Sequence, residues 1–347
     1  MKKELLMGTA LVSTLGAASV AEAVTATMSG NHQTGMEFDS PTGGTDTNAQ
    51  RNDNNFTVSL SETTDGGMTI SSSFKVMDEN TKEDYDAGFS LAFTDGSKLD
   101  LLNAGSASST HAVSVPSSAG AEGVANTTTN QAPTGLDFMN TATVFGLEYH
   151  TAADFLADGL SASFSASTDT GAAAGATYRT DSHIAIGATY VTDFGDTAVT
   201  IGAGYHESDG SKTGTSANDD NGGVHVGISA VTGDLTVAVG FADGSKAGLQ
   251  DDGANEMTAE VVKAGVKYVT GDLTFNVGIA SGEADDHSIG SATAGNDDSQ
   301  DVTSASVSYA VASGVTAILG YTSTESSNEG TGSTDGSAWY IGANMAF

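Results

Sequence analysis

The chain has 347 residues and carries 44 acidic against 11 basic side chains, which gives a formal net charge of -33. This charge excludes nucleic acid as a default partner and favours cations as partners or passengers. The sequence contains no cysteine, so disulfide bonds and thiolate chemistry are excluded.

The N-terminal stretch predicts a secretory signal peptide. Lys2 and Lys3 precede an apolar run over 5–20, and the A-x-A cleavage pattern ends at Ala23. The alternative is an N-terminal membrane helix, which the short run and its Ser and Thr interruptions disfavour. Cleavage after Ala23 divides the chain into a signal peptide over 1–23 and a mature domain over 24–347.

From residue 24 onward the chain shows short stretches in which large apolar residues alternate with small or polar ones. This period-2 pattern is typical of β-strands with two different faces. "DLTVAVGF" at 234–241 and "DLTFNVGIA" at 272–280 are clear cases. Sixteen strands are predicted, over 24–34, 55–62, 68–76, 85–94, 97–104, 140–150, 160–167, 183–192, 197–206, 223–231, 235–241, 258–269, 273–281, 302–311, 315–323 and 338–347.

The connections between these stretches alternate strictly between short and long. Short connections such as "TDGG" at 64–67 and "TGD" at 232–234 contain glycine, which supplies the positive φ of tight turns. The long connections are rich in Gly, Asp, Asn, Ser and Thr. One end of the sheet therefore carries short turns, and the other end carries long loops.

A sheet of about sixteen strands favours closure into a barrel, because closure removes both free edges. The interior of such a barrel is too wide for side chains to fill, so the apolar face is expected to point to lipid and the lumen to hold water. The predicted fold is therefore all-β, a transmembrane antiparallel β-barrel.

The chain ends on the alternating strand "AWYIGANMAF", at 338–347. Chain termini are usually frayed and polar, whereas this one ends on the ring of Phe347. In a closed barrel the last strand pairs with the first. Phe347 would then lie in an aromatic girdle at the short-turn end.

The A-x-A signal, "SETTDGGMTI" at 61–70, the "TGDLT" hairpins and the terminal "WYIGANMAF" together resemble the sixteen-stranded trimeric general-diffusion porins of the Gram-negative outer membrane, most closely the alphaproteobacterial type. The resemblance covers 24–347. It implies an outer-membrane homotrimer with short periplasmic turns, which forms a water-filled channel for passive diffusion of small hydrophilic solutes and ions.

The resemblance also implies roles for particular segments. The C-terminal strand would be read by the barrel-assembly machinery, with the signal residues Trp339, Ile341, Met345 and Phe347. The long connection over 105–139 would fold into the pore as a constriction loop, whose only acids are Glu122 and Asp137. The alternative is an external loop that never enters the pore.

Charged residues on the strands supply candidates for the pore lining. Lys75, Lys263 and Lys267 have the parity of the small residues and are predicted to face the lumen. The resemblance implies that they form one basic wall opposite the constriction loop, although this loop has only two acids where the family's loop is often visibly acidic. The alternative is that they pair with Glu148 or Glu260, which are pore-lining candidates themselves. Because the acids cluster in the long connections, weak to moderate cation selectivity is expected.

Other classes of function are less well supported. No recognisable hydrolase motif surrounds the histidines, so no enzyme activity is predicted. No cofactor is predicted, although clustered carboxylates would suit loosely bound Ca²⁺. A secreted acidic β-rich surface or adhesin protein is the alternative, although it would explain neither the alternating hairpin lengths nor Phe347.

Overall fold

The structure is a computed structural model of the chain. It describes residues 24–41, 44–78, 81–82, 88–102, 106–117, 146–168, 178–212, 221–247, 256–286, 296–328 and 332–347. The predicted signal peptide and the loop residues Glu122 and Asp137 lie outside the described residues.

The described chain consists almost entirely of β-strands. The strands are β1 (Thr25–Pro41), β2 (Thr47–Thr63), β3 (Thr69–Asp78), β4 (Thr81–Lys82), β5 (Phe89–Ala92), β6 (Lys98–Leu101), β7 (Leu147–His150), β8 (Leu160–Thr168), β9 (Tyr178–Phe194), β10 (Thr197–Lys212), β11 (Asn221–Thr232), β12 (Leu235–Ala247), β13 (Glu256–Thr270), β14 (Leu273–Asp286), β15 (Asn296–Ala312), β16 (Val315–Asn328) and β17 (Gly332–Ala346). A short helix, α1 (Ala107–Thr110), follows β6. Within the ranges given above, no helix has the length and apolarity needed to cross a membrane.

Hydrogen bonding closes these strands into a barrel. Consecutive strands pair antiparallel, and β1 also pairs with β17, so the two ends of the sheet meet. The two-residue strand β4 pairs with the end of β3, while β3 also pairs directly with β5, which leaves a ring of sixteen strands. The predicted barrel is confirmed, and each predicted strand overlaps one strand of the ring.

The short turns are built on glycine, as predicted. All seven positive-φ glycines of the described chain lie in these turns: Gly67, Gly96, Gly159, Gly195, Gly233, Gly271 and Gly314. The turn before β6 is also held by Asp95, whose carboxylate accepts hydrogen bonds from the Ser97 hydroxyl at 2.7 Å and the Ser97 N–H at 2.9 Å. These bonds stabilise the ionised form and lower the pKa of Asp95.

The two faces of the barrel have opposite character. Outward side chains are large and apolar, and Val226 and Ile279 are 48% and 56% exposed. Buried side chains such as Ala238 and Ser304 are small or polar and lie on the inner face. This is the reverse of a soluble barrel and places the apolar face against lipid.

Several strands run further at their long-connection ends than the alternation predicted. β2 begins at Thr47 and β16 ends at Asn328, where strands over 55–62 and 315–323 were predicted. The added residues are mostly polar on both faces, so hydrogen bonding continues although the apolar period is lost.

The C-terminus closes the barrel. The Phe347 N–H donates to the Gly30 carbonyl and the Gly30 N–H donates to the Phe347 carbonyl, both at 3.0 Å. The Phe347 ring lies over Gly30, where a Cβ atom would be 2.7 Å from the ring Cζ, and its centroid is 6.4 Å from that of Phe56. The predicted pairing of the last strand with the first is confirmed.

Candidate functional site

The described part of the predicted constriction loop, residues 106–117, lies inside the barrel. It begins at α1, which contacts β8, β9 and β10, and it then crosses the inner wall as far as β14. The remainder of the predicted loop, residue 105 and residues 118–139, lies outside the described residues. We call residues 106–117 the lumenal segment.

Glycines on the inner face make room for the lumenal segment. A Cβ atom on Gly187 would overlap the Ala107 carbonyl oxygen, and one on Gly265 would overlap the Pro116 carbonyl oxygen. The main chain therefore packs directly on the strands. The glycines on which the segment packs are Gly187, Gly202, Gly204, Gly227, Gly240, Gly265 and Gly278.

Hydrogen bonds fix the first half of the segment to the wall. The Ala107 N–H donates to Ser165 Oγ at 2.9 Å, and the Ser108 carbonyl accepts from His225 Nε2 at 2.7 Å. The Thr110 hydroxyl donates to Glu148 Oε1 at 2.6 Å. These bonds reach β7, β8 and β11, so the segment is held by several strands at once.

His111 joins the segment to a chain of hydrogen bonds on the wall. Its Nδ1 lies 2.7 Å from Thr189 Oγ1, and its Nε2 lies 2.8 Å from Ser163 Oγ. Ser163 Oγ is also 2.9 Å from His150 Nδ1, and His150 Nε2 is 2.9 Å from Asp100 Oδ2.

When both imidazoles are neutral, the donors and acceptors in this series of hydrogen bonds can be assigned in only one way. Asp100 accepts only, so His150 carries its hydrogen on Nε2 and accepts from Ser163 at Nδ1. Ser163 then accepts from His111 Nε2–H, and His111 Nδ1 accepts from Thr189. Burial lowers the pKa of His111, and the positive charges of protonated His150 and His225 lower it further, so the neutral form is favoured.

A lumenal cavity of about 690 Å³ lies beside the segment. The segment forms one side of the cavity from Thr110 to Ser117. Hydroxyl, amide and ammonium groups form the other side: Thr189, Thr200, Ser229, Thr236, Lys267 and Asn276. The strand side of the cavity is therefore polar, whereas the segment side also contributes the apolar residues Val113, Val115 and Pro116.

The three candidate lysines do not form one wall. Lys263 and Lys267 lie on the inner face of β13, but Lys75 lies on the inner face of β3, opposite Thr57. Six strands separate β3 from β13 in one direction (β2, β1, β17, β16, β15 and β14), and eight separate them in the other (β5 to β12). The expectation of a single basic wall is corrected. Strand parity predicts which face a lysine occupies, but it does not predict where around the barrel the strand lies.

The two candidate acids on the strands also differ. Glu260 shares the outer face of β13 with Val262 and lies opposite Asp243 and Glu283, so it does not line the lumen. This prediction is corrected by the alternation of the strand. Glu148 lies on the inner face of β7 and is 2% exposed. Its partners are Thr110 and, at 3.8 Å, His150, rather than a lysine.

The C-terminal residues predicted as an assembly signal all lie on the outer face. Trp339, Ile341, Met345 and Phe347 are 54%, 55%, 49% and 63% exposed. The Trp339 ring also packs on Tyr321, with centroids 4.6 Å apart.

Sequence reasoning did not identify Asp100, His111, Ser163 or Thr189 as site residues. Asp100, Ser163 and Thr189 lie on β6, β8 and β9 of one run of paired strands, and His111 meets them because the lumenal segment folds against this part of the wall. Strand parity places Ser163 and Thr189 on the inner face, but nothing in the sequence indicates which loop residue meets them.

The chain was compared with known proteins. A model of the Gram-negative porin family matches residues 8–329. No curated protein sequence matches the chain.

Solved structures share the fold at low sequence identity. An anion-selective porin from Comamonas acidovorans matches with a TM-score of 0.66 and 12% identity, covering 93% of this chain and 100% of that one. The outer membrane channel DcaP of Acinetobacter baumannii matches with a TM-score of 0.67 and 12% identity, covering 93% and 97%. The trimer form of in-vitro folded OmpT, an outer membrane protein of Vibrio cholerae, matches with a TM-score of 0.62 and 14% identity, covering 94% and 100%.

Proposed function

Because the chain belongs to the Gram-negative porin family and is an outer-membrane channel protein, we propose that it is a homotrimeric pore for passive diffusion of small hydrophilic solutes, with a preference for cations. The observation that carries this proposal is the cavity beside the lumenal segment, whose strand side is lined by polar residues, inside a closed barrel. A channel role rather than catalysis is what the family and the fold indicate.

The proposed cation preference rests on charge. The chain has 44 acidic and 11 basic residues. Glu207, Asp243, Glu283 and Asp301 lie on the outer face towards the long-connection ends of their strands, so they add negative charge around the mouth without lining the lumen. A negative mouth concentrates cations and repels anions. A neighbour described as anion-selective has the same fold, so side-chain charge rather than fold must set the sign of the preference.

The proposed trimer is supported by a polar patch on the outer face of β1 and β2. His32 Nδ1 donates to Asn54 Oδ1 at 2.5 Å. On the same face of β1, His32 lies between Met28 and Met36, both about half exposed, and it is opposite Met345 of β17. Polar side chains on the lipid-facing surface of a barrel cost free energy when they contact hydrocarbon. We therefore assign this face to contact between subunits, and a Vibrio cholerae neighbour is described in a trimer form.

The role of the C-terminal strand in assembly stays a proposal. Trp339, Ile341, Met345 and Phe347 form an outward apolar row that ends at the seam between β17 and β1. This row would be accessible to assembly machinery until the seam closes.

Liposome swelling tests the diffusion proposal. Purified protein is reconstituted into liposomes, which are then diluted into isotonic solutions of neutral sugars of increasing size. We expect rapid swelling with small sugars and progressively slower swelling with larger ones. Folded protein that gives no swelling with any sugar would overturn the proposal.

A further inference from the structure

Asp100, Glu148 and His150 bring three metal-ligating groups together on the inner wall of β6 and β7. One ligand atom from each residue lies within 4.8 Å of the other two. Asp100 is directly opposite Glu148 in the strand register, and His150 follows two residues later on the same face as Glu148. The three groups therefore come from rigid, paired strands rather than from a loop.

The two carboxylates form a like-charge pair that a bound cation would stabilise. Carboxylates directly opposite each other on paired strands repel, and burial increases that cost. Asp100 has Lys98 Nζ at 2.8 Å from its Oδ2 and also accepts from the Ser90 hydroxyl. Glu148 is 2% exposed, and no described lysine or arginine lies within ion-pair distance of it. A divalent cation between the two acids would neutralise both.

The imidazole ligand indicates which class of cation would bind. Two carboxylate oxygens and one imidazole nitrogen suit Zn²⁺ and similar transition-metal ions, whereas Ca²⁺ and Mg²⁺ prefer oxygen ligands alone. His150 Nε2 and Asp100 Oδ2 are 2.9 Å apart, so both atoms point to one place. We propose that Asp100, Glu148 and His150 form a lumenal site for a divalent transition-metal cation, with Zn²⁺ as the representative ion.

The surroundings of His150 provide the support that a metal-bound histidine needs. When Nε2 binds the ion, the hydrogen of the neutral ring moves to Nδ1, and no proton is released. Nδ1–H then donates to Ser163 Oγ, which is already 2.9 Å away, and the other hydrogen bonds reverse: Ser163 donates to His111 Nε2, and His111 Nδ1–H donates to Thr189. Ligating histidines usually donate their second ring N–H to an oxygen acceptor, commonly a carboxylate, a backbone carbonyl or water, which fixes the tautomer and the ring orientation.

The site lies at the point where the lumenal segment is anchored. Glu148 accepts from Thr110 with Oε1 and has a second carboxylate oxygen, so it can hold the segment and the ion together. The ion would displace Lys98, whose side chain is 41% exposed, from Asp100. Bound Zn²⁺ is therefore expected to stabilise the folded barrel by mass action.

Isothermal titration of ZnCl₂ into the detergent-solubilised full chain tests the site. Excess Mg²⁺ is included to occupy exposed carboxylates. We expect one tight class of Zn²⁺ binding per chain, weakened roughly tenfold or more in His150→Gln and in Asp100→Asn. Lys98→Met, which removes the competing ammonium group, should bind Zn²⁺ more tightly than the wild type.

His225→Gln is the matched control. It removes the imidazole that donates to the Ser108 carbonyl and so disturbs the segment without removing a ligand. Its Zn²⁺ affinity should equal that of the wild type. Absence of a tight class in the wild type, or unchanged affinity in both His150→Gln and Asp100→Asn, would overturn the proposal.

A second measurement covers the case in which the ligand variants fail to fold. Co²⁺ added to the folded wild type should give visible d–d absorption of a nitrogen- and oxygen-ligated ion, and Zn²⁺ should displace it. A spectrum identical to that of aqueous Co²⁺ would contradict the site. Neither readout depends on channel activity, so failure of this proposal and failure of the diffusion proposal are distinguishable.

Discussion

The space inside the lumen is filled differently along two of its walls. The wall from β9 to β14 carries glycines, and the main chain of the lumenal segment lies directly on them. The wall formed by β17 and β1 instead carries large side chains: Tyr340 and Glu37 lie directly opposite each other and are 1% and 0% exposed. There the Tyr340 ring lies over Gly320, where a Cβ atom would overlap it.

The difference shows how the barrel narrows its own lumen. On one side a folded-in chain segment fills space, which requires glycine beneath it. On the other side long side chains lie flat against the strands. The outer faces differ as well, because β1 and β2 carry the His32 and Asn54 patch, whereas β11 carries Val224, Val226 and Ile228.

The largest expected effect concerns these outer faces. The chain has no cysteine, so Met36→Cys on β1 and Ile228→Cys on β11 each introduce a single thiol. With a bifunctional thiol reagent, we expect cross-linked subunits for Met36→Cys and none for Ile228→Cys, because only β1 lies in the proposed subunit contact. Gel electrophoresis after denaturation measures the products.

The reverse pattern would move the subunit contact to the β11 side. Equal cross-linking of both variants would indicate random collision in the detergent micelle, and diluting the protein before treatment with the reagent separates that case.

The next largest effect concerns the glycine wall. Gly265→Ala places a methyl group against the Pro116 carbonyl, so the segment must move, whereas Gly240→Ala meets only the flexible Val115 side chain at 3.3 Å. We expect Gly265→Ala to lower the free energy of unfolding by about 1–3 kcal/mol, and Gly240→Ala to lower it less. Urea unfolding of the two variants makes the comparison, and equal losses would contradict direct packing of the segment.

A smaller effect is expected from acidification, through His111. Its pKa lies below the usual value of 6.5 because of burial, so folding favours the neutral imidazole. The corresponding stability is present above the unfolded-state pKa and is lost as the pH falls through the folded-state value. The wild type should lose more stability between about pH 7 and pH 5 than His111→Asn. An identical pH dependence in both proteins would show that protonation of His111 does not contribute to the loss of stability.

The smallest effect is expected from the lysines on opposite walls. Lys267 lines the cavity beside the segment, and Lys75 lies across the barrel. Lys267→Glu should shift the reversal potential further towards cation preference, and Lys75→Glu should shift it less. A larger shift for Lys75→Glu would place the narrow part of the pore elsewhere.

Much of the barrel could be predicted from the sequence because its signals are local. Alternation predicts strands, turn glycines predict hairpins, and the closed sheet follows from the number of strands. The prediction that Lys75 shares a wall with Lys263 and Lys267 failed because it depends on position around the barrel. The prediction that Glu260 lines the lumen failed because the alternation of β13 places this residue on the outer face. Strands also ran beyond their predicted ends where both faces were polar, as in β2 and β16.

The site could be predicted only in outline. The 105–139 connection was expected inside the pore, and its described part does lie there. Its contacts with Ser163, Ser165 and Glu148 depend on side-chain packing between distant parts of the chain, and no periodic pattern records such contacts. The ligand cluster of Asp100, Glu148 and His150 was missed for the same reason, since a long connection separates β6 from β7.

Conductance of the purified protein in planar bilayers under a salt gradient tests the central claim most directly. The account predicts insertion in steps of three channels, with a reversal potential that favours cations. Folded protein that forms no channels, or channels whose reversal potential favours anions, would contradict it.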